Sequence, residues 1–126
     1  MIARPAWATT PLMDGRTVIF LSRDDEGALR AAGACALAAV SMEDRVDVFL
    51  TGPAVSAVVA AHDGEDDEPG ARLHQARRLG ARLVACSASV VEQRVELAAA
   101  EAALDAVVGW PTILEWSRGV VDRFSF

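Results

Sequence analysis

The chain has 126 residues and a mass of 13.3 kDa, room for one ordinary domain and too little for two. It is 52% apolar and 24% charged, which excludes a disordered or collagen-like chain. The net charge is −6, the isoelectric point lies near 4.8, and every basic side chain is arginine. Without a lysine- and arginine-rich field, nucleic acid is not an expected partner. No apolar run approaches the ~18 residues of a membrane span. The first 15 residues, with Arg4, Pro5, Pro11 and Asp14, lack the apolar core of a signal peptide. Two cysteines do not make a disulfide framework. The expectation is a cytoplasmic protein with no membrane partner.

Residues 1–15 show no periodicity and read as an arm before a single domain over 16–126. Thr17–Leu21 is a β-branched apolar run that suits a strand buried on both faces. A helix follows from Ser22 to about Met42, with Ser22 or Asp24 able to cap it. Leu29, Ala32, Gly33, Ala36, Leu37 and Val40 share one of its faces. Arg45–Leu50 is the second strand, and a short helix over Ala54–Ala61 comes next. The acidic stretch His62–Gly70 is a loop. The helix Ala71–Leu79 starts after Pro69 and stops at Gly80. Arg82–Cys86 is the third strand. Ser89-Val90-Val91-Glu92 fits a capping box, so a helix begins there, and helical pattern continues in some form to about Leu104. Ala106–Val108 is a short fourth strand, Thr112-Ile113-Leu114-Glu115 a second capping-box pattern, and Val120–Phe126 a final strand. Such alternation predicts a parallel sheet covered on both faces.

Right-handed crossovers place the C-terminal ends of parallel strands along one edge, where sites form in open α/β sheets. The residues expected there are Ser22, Arg23, Asp24 and Asp25; Thr51, Gly52 and Pro53; Cys86, Ser87 and Ser89; and Gly109, Trp110, Pro111 and Thr112. Cys86 is the one strong nucleophile among them. At a helix start its thiolate would be stabilised by free N–H groups, and further by Arg23 if that side chain turned inward. The competing reading is a core filler, since cysteine is among the most buried residue types. Cys35 falls mid-helix, roughly 15 Å down the axis. A disulfide to Cys86 would need the Cα atoms within ~7 Å, so Cys35 reads as inert packing. Trp110 reads either as a pocket wall or subunit interface, or as core.

Other chemistries lack their residues. The acidic loop does not have EF-hand spacing and reads as solvated. His62 and His74 are too isolated for a zinc site with two distant cysteines, so no metal is expected. Neither a G-x-S-x-G elbow nor a glycine-rich phosphate fingerprint occurs, and no cofactor is expected.

Three segments together resemble the DsrE/DsrF/TusD-like sulfur-relay superfamily, in particular its small stand-alone members. The first is Val18–Asp25 with the alanine-rich helix and Val46–Gly52. The second is Gly80–Ser89, and the third is Val107–Trp116 with the C-terminal strand. The resemblance implies a three-layer α/β/α sandwich with a five-stranded, mostly parallel sheet. It also implies a homo-oligomer, often a trimer or hexamer. It further implies that a cysteine at the end of the third strand, here Cys86 within Cys86-Ser87-Ala88-Ser89, carries sulfur as a persulfide. Subunits that modify tRNA carry an Arg-Arg-Gly type sequence after this turn, where this chain has Val90–Arg94.

Two functions are therefore expected in competition. In the first, a sulfurtransferase-like relay, Cys86 takes sulfane sulfur from a donor protein and passes it to an acceptor thiol. Arg23, Asp24, Thr51, Gly52, Ser87, Ser89, Trp110 and Thr112 would line that site. This needs a reachable, acidic sulfur. In the second, a non-catalytic oligomeric module binds a small anion or a partner protein at the same edge. Peroxidase-like oxidation of Cys86 ranks below both, because no resolving cysteine is within reach.

Overall fold

The computed structural model describes residues 15–119 and 121–126. The arm expected over 1–15 therefore lies outside the described residues except for Gly15, and so do Trp7 and Val120. The strands are β1 (Arg16–Leu21), β2 (Arg45–Leu50), β3 (Arg82–Cys86), β4 (Ala106–Val108) and β5 (Asp122–Ser125). The helices are α1 (Glu26–Ser41), α2 (Pro53–Ala60), α3 (Ala71–Arg78), α4 (Ser87–Glu92), α5 (Leu97–Ala103) and α6 (Trp110–Trp116), with a 3-10 turn at Ala61–Asp63. The sheet order is β4-β3-β2-β1-β5 and every pairing is parallel. The chain steps from β1 to β4 in one direction, then returns across the sheet through α6 to β5.

This winding puts α1–α5 on one face and α6 on the other, giving a three-layer α/β/α sandwich. Register fixes which side chains meet each layer. Ile19, Leu21, Val46, Val48, Leu50, Leu83 and Ala85 point to the five-helix face. There they join Leu29, Ala32, Val55, Val58, Leu73, Ala76, Val90 and Ala100 in one apolar cluster. Val18, Phe49, Val84 and Cys86 point the other way and meet Ile113 of α6. Alanine lets the helices sit close. At Gly33, a Cβ would come 2.6 Å from the Cβ of Arg72, so glycine is what lets α1 and α3 approach.

The expected alternation of elements is present, with differences at the helix ends. Asp25, not Ser22 or Asp24, caps α1, its carboxylate accepting from Ala28 N at 3.0 Å. The helical pattern expected from Ser89 to about Leu104 resolves into two helices. Gln93–Glu96 separates α4 from α5, with Arg94 at φ 54. Val95 N donates to Val90 O and Arg94 N to Val91 O, the paired bonds of a Schellman stop. Half-buried Val95 also packs on the apolar cluster that contains Val90, and between them Arg94 takes a conformation usually left to glycine. The same stop ends α1 at Glu43 and α3 at Gly80; glycine announced only the last of these in the sequence.

Neither capping box forms. α4 begins at Ser87 and α6 at Trp110, with Cys86 and Gly109 at their caps and no side-chain cap bond. In each case the helix starts directly off the strand end, so Ser89 and Thr112 fall inside the first turn. The final strand is shorter than expected, and its four residues are exposed because β5 is a sheet edge.

Candidate functional site

The C-terminal ends of the strands do line one edge. Gly52 follows β2 at φ 56 and ψ −143, in the region that favours glycine, and its N–H donates to Ser89 Oγ at 2.8 Å. That bond ties the end of β2 to the start of α4. Thr51 N donates to Leu21 O, joining β1 to the same corner, and Ser56 Oγ meets Gln93 Oε1 at 3.2 Å. The loop after β4 reaches this corner as well: a Cβ at Gly109 would lie 3.9 Å from Ser87 Oγ. Thr51, Gly52, Ser87, Ser89 and the Gly109–Thr112 turn are thus associated through these contacts.

Arg23 and Asp24 do not join them. Arg23 Nε donates to Asp25 at 2.8 Å, and both side chains are exposed. To act on Cys86, Arg23 would have to turn inward. The helix cap captures it instead, because Asp25 is two residues away and already ordered. Ala28 N–H, with Arg23, holds the Asp25 carboxyl below its ordinary value. Ser87 is exposed, Ser89 is buried and engaged with Gly52, Thr112 is half-buried, and Trp110 is 46% exposed.

Cys86 corrects the expectation of a reachable sulfur. It is the last residue of β3 and 1% exposed. Its side chain packs with Val18, Phe49, Val84 and Ile113, with Phe20, Val108 and Trp116 around them. The physical reason is parity. Residues 82, 84 and 86 face α6, and the strand pairs Cys86 with Val108 while Ile113 lies over this face. Both cysteines are free, and burial pushes the Cys35 thiol up from its ordinary value.

At the opposite end of this face stands a charged group that sequence reasoning passed over. Asp47 is 2% exposed and takes Arg82 Nε at 2.6 Å and Arg16 Nη2 at 3.1 Å. Arg16 also donates to Trp116 O and to Arg118 O, and Arg123 donates to Ser117 O. Arg82 lies 5.1 Å from the Trp116 ring centre, a cation–π contact. Two strands thereby supply guanidinium groups to the last carbonyls of α6, where positive charge is favoured. The available signal was an aspartate inside an otherwise apolar strand, Val46-Asp47-Val48-Phe49-Leu50. A shallow surface pocket beside β4, lined by Leu97, Glu101, Leu104, Asp105, Ala106 and Val107, contains none of the expected site residues.

The described residues contain no group of three or more histidine, cysteine or acidic side chains arranged to hold a metal ion. Among them no helix is long and apolar enough to cross a membrane.

A parallel sheet wound in both directions, with a cysteine closing its third strand beside a helix start, defines a class of small α/β sandwich proteins. The chain matches the model of the DsrE/DsrF-like family over residues 16–117 and belongs to that family. No curated protein matches it.

Proposed function

We propose that the chain serves sulfur relay as an oligomeric docking subunit, without carrying sulfane sulfur on Cys86 in the closed state. The observation behind this reading is the 1% exposure of Cys86 beneath Ile113. Thiol exchange requires a sulfur that a donor can reach. The edge is also poor in free anion donors, since Gly52 N–H is taken by Ser89 and Arg23 by Asp25. A partner protein suits it better than a small anion. α6 exposes Trp110, Pro111 and Leu114 on its outer side, with Trp110 46% and Leu114 54% exposed. Aromatic and aliphatic groups of this kind anchor protein interfaces. Family resemblance makes a second copy of this chain the first occupant to test.

A second reading keeps Cys86 as the carrier. It is supported by the build of α6, whose last carbonyls are tied down by arginines while its N-terminal end beside Ser87 has no side-chain cap. Lifting that end would uncover the sulfur. The thiolate would then attack the outer sulfur of a donor persulfide, R–S–S⁻. A new S–S bond forms on Cys86, the old one breaks, and R–S⁻ leaves with the electron pair.

The test uses the Cys35→Ala protein, so that Cys86 is the only thiol. The docking reading expects slow alkylation of the native protein, fast alkylation in denaturant, and no +32 Da adduct after a sulfane donor. Light-scattering mass should show an oligomer that persists in Cys86→Ser and dissociates in Leu114→Glu. A stoichiometric +32 Da adduct on native Cys86 would overturn the docking reading in favour of the carrier.

A further inference from the structure

His74 lies on α3, away from the edge described above, and is 4% exposed. Its Nε2 is 2.7 Å from Val58 O in the last turn of α2. A carbonyl only accepts, so Nε2 carries the proton and the neutral ring leaves Nδ1 bare. Nδ1 is buried and has no hydrogen-bond partner. The His62 ring, on the 3-10 turn after α2, lies 5.3 Å away centre to centre. Beyond it runs the acidic stretch Asp63–Glu68, closed back against its own start. A Cβ at Gly70 would come 2.9 Å from the Ala61 side chain, and Arg30 of α1 donates to Asp67 O.

We propose that His74 is a proton-sensitive latch that holds the acidic loop 61–70 against α2 and releases it on mild acidification. Protonation at Nδ1 puts an N–H where no acceptor waits, and a buried donor without a partner is costly. It also sets a charged ring beside that of His62. The arginines of α3 add to this. α3 itself brings Arg77 and Arg78, both unfavourable to a charged ring. α1 brings Arg30, already engaged with Glu26, and the 3-10 turn brings His62 with Asp63. From the sheet, β3 offers only Leu83 and Ala85 on this side. Burial depresses the His74 titration below 6.5; its bond to Val58 O opposes this, and the neighbouring His62, Arg77 and Arg78 add to the depression. The latch is therefore fully closed above the unfolded value of 6.5. It weakens as pH falls from there toward the folded-state midpoint.

Hydrogen exchange followed by mass spectrometry between pH 7.5 and 5.5 tests this, after correction for intrinsic rates. The segment 58–70 should lose protection on acidification while β1, β2 and β3 keep theirs. The rise in exchange should be roughly tenfold for every unit separating the folded and unfolded midpoints. His74→Gln keeps a donor for Val58 O but cannot titrate, so its loop should be closed and flat with pH. His62→Asn should diminish the pH response. A pH-independent loop in the wild type, an undiminished response in His74→Gln, or simultaneous loss of protection in the strands would each overturn the latch. Should His74→Gln fail to fold, ring titration of the wild type by NMR decides. A His74 midpoint below 6.5 and coincident with loop release supports the latch; a midpoint at 6.5 or higher overturns it.

Discussion

The five-helix face and the α6 face are built on the same strands, yet they are held in different ways. On the first, every inward strand residue from β1 to β3 is apolar or a buried Thr17, and α1–α5 close over it as one continuous cluster. On the second, among the described residues, the seven-residue α6 covers a small apolar cluster holding Cys86. Its far end rests on the Arg16–Asp47–Arg82 group. Non-directional burial over a wide area makes a rigid layer. A short helix pinned at one end by charged hydrogen bonds makes a layer that can open by itself, and low-stability elements are where functional motion is drawn from. The difference puts Cys86 under the smaller of the two apolar layers.

Truncations on the two faces sharpen that contrast most strongly. Leu73→Ala and Ile113→Ala each remove a fully buried aliphatic side chain and should each cost roughly 2–5 kcal/mol by urea unfolding. Only Ile113→Ala should speed alkylation of Cys86 under native conditions, because it thins the cover over that thiol. Equal acceleration by both would show that Cys86 is reached through global unfolding and that the two faces do not differ.

Asp47→Ala comes next. It leaves two guanidinium groups without their buried carboxylate. It should cost roughly 2–3 kcal/mol once the partial exposure of Arg82 is allowed for. The loss should appear together with faster exchange in α6 and little change in α1. Uniform exchange across both layers would break the comparison.

The smallest effect is expected at Asp25. Its carboxyl is depressed below 3.8 by the Ala28 N–H and by Arg23, so its contribution is present above 3.8 and lost as pH falls through the lower folded value. Asp25→Ala should slightly lower the thermal midpoint at pH 7 and flatten its decline at acid pH. The α6 face should not respond.

Five strands and their order along the chain were readable, and for β1 to β3 so was their burial, because β-branched apolar runs and glycine or proline boundaries are local signals. The break at Arg94 was not, since no glycine marks it and the stop depends on Val95 meeting Val90. Gly52 and Ser89 were both placed at the strand ends by sequence, but their mutual bond joins residues 37 apart. Arg23 went the other way, claimed by a neighbour two positions along.

Sequence alone determined that this chain is a parallel α/β sandwich with its cysteine at the end of the third strand, because periodicity and turn chemistry act over a few residues. Which way that cysteine points, what lies over it, and which charges gather under α6 were decided only in three dimensions. Strand parity and the return path of the chain across the sheet bring residues 16, 47, 82 and 116 together at one end, and 18, 49, 86 and 113 together in the apolar cluster.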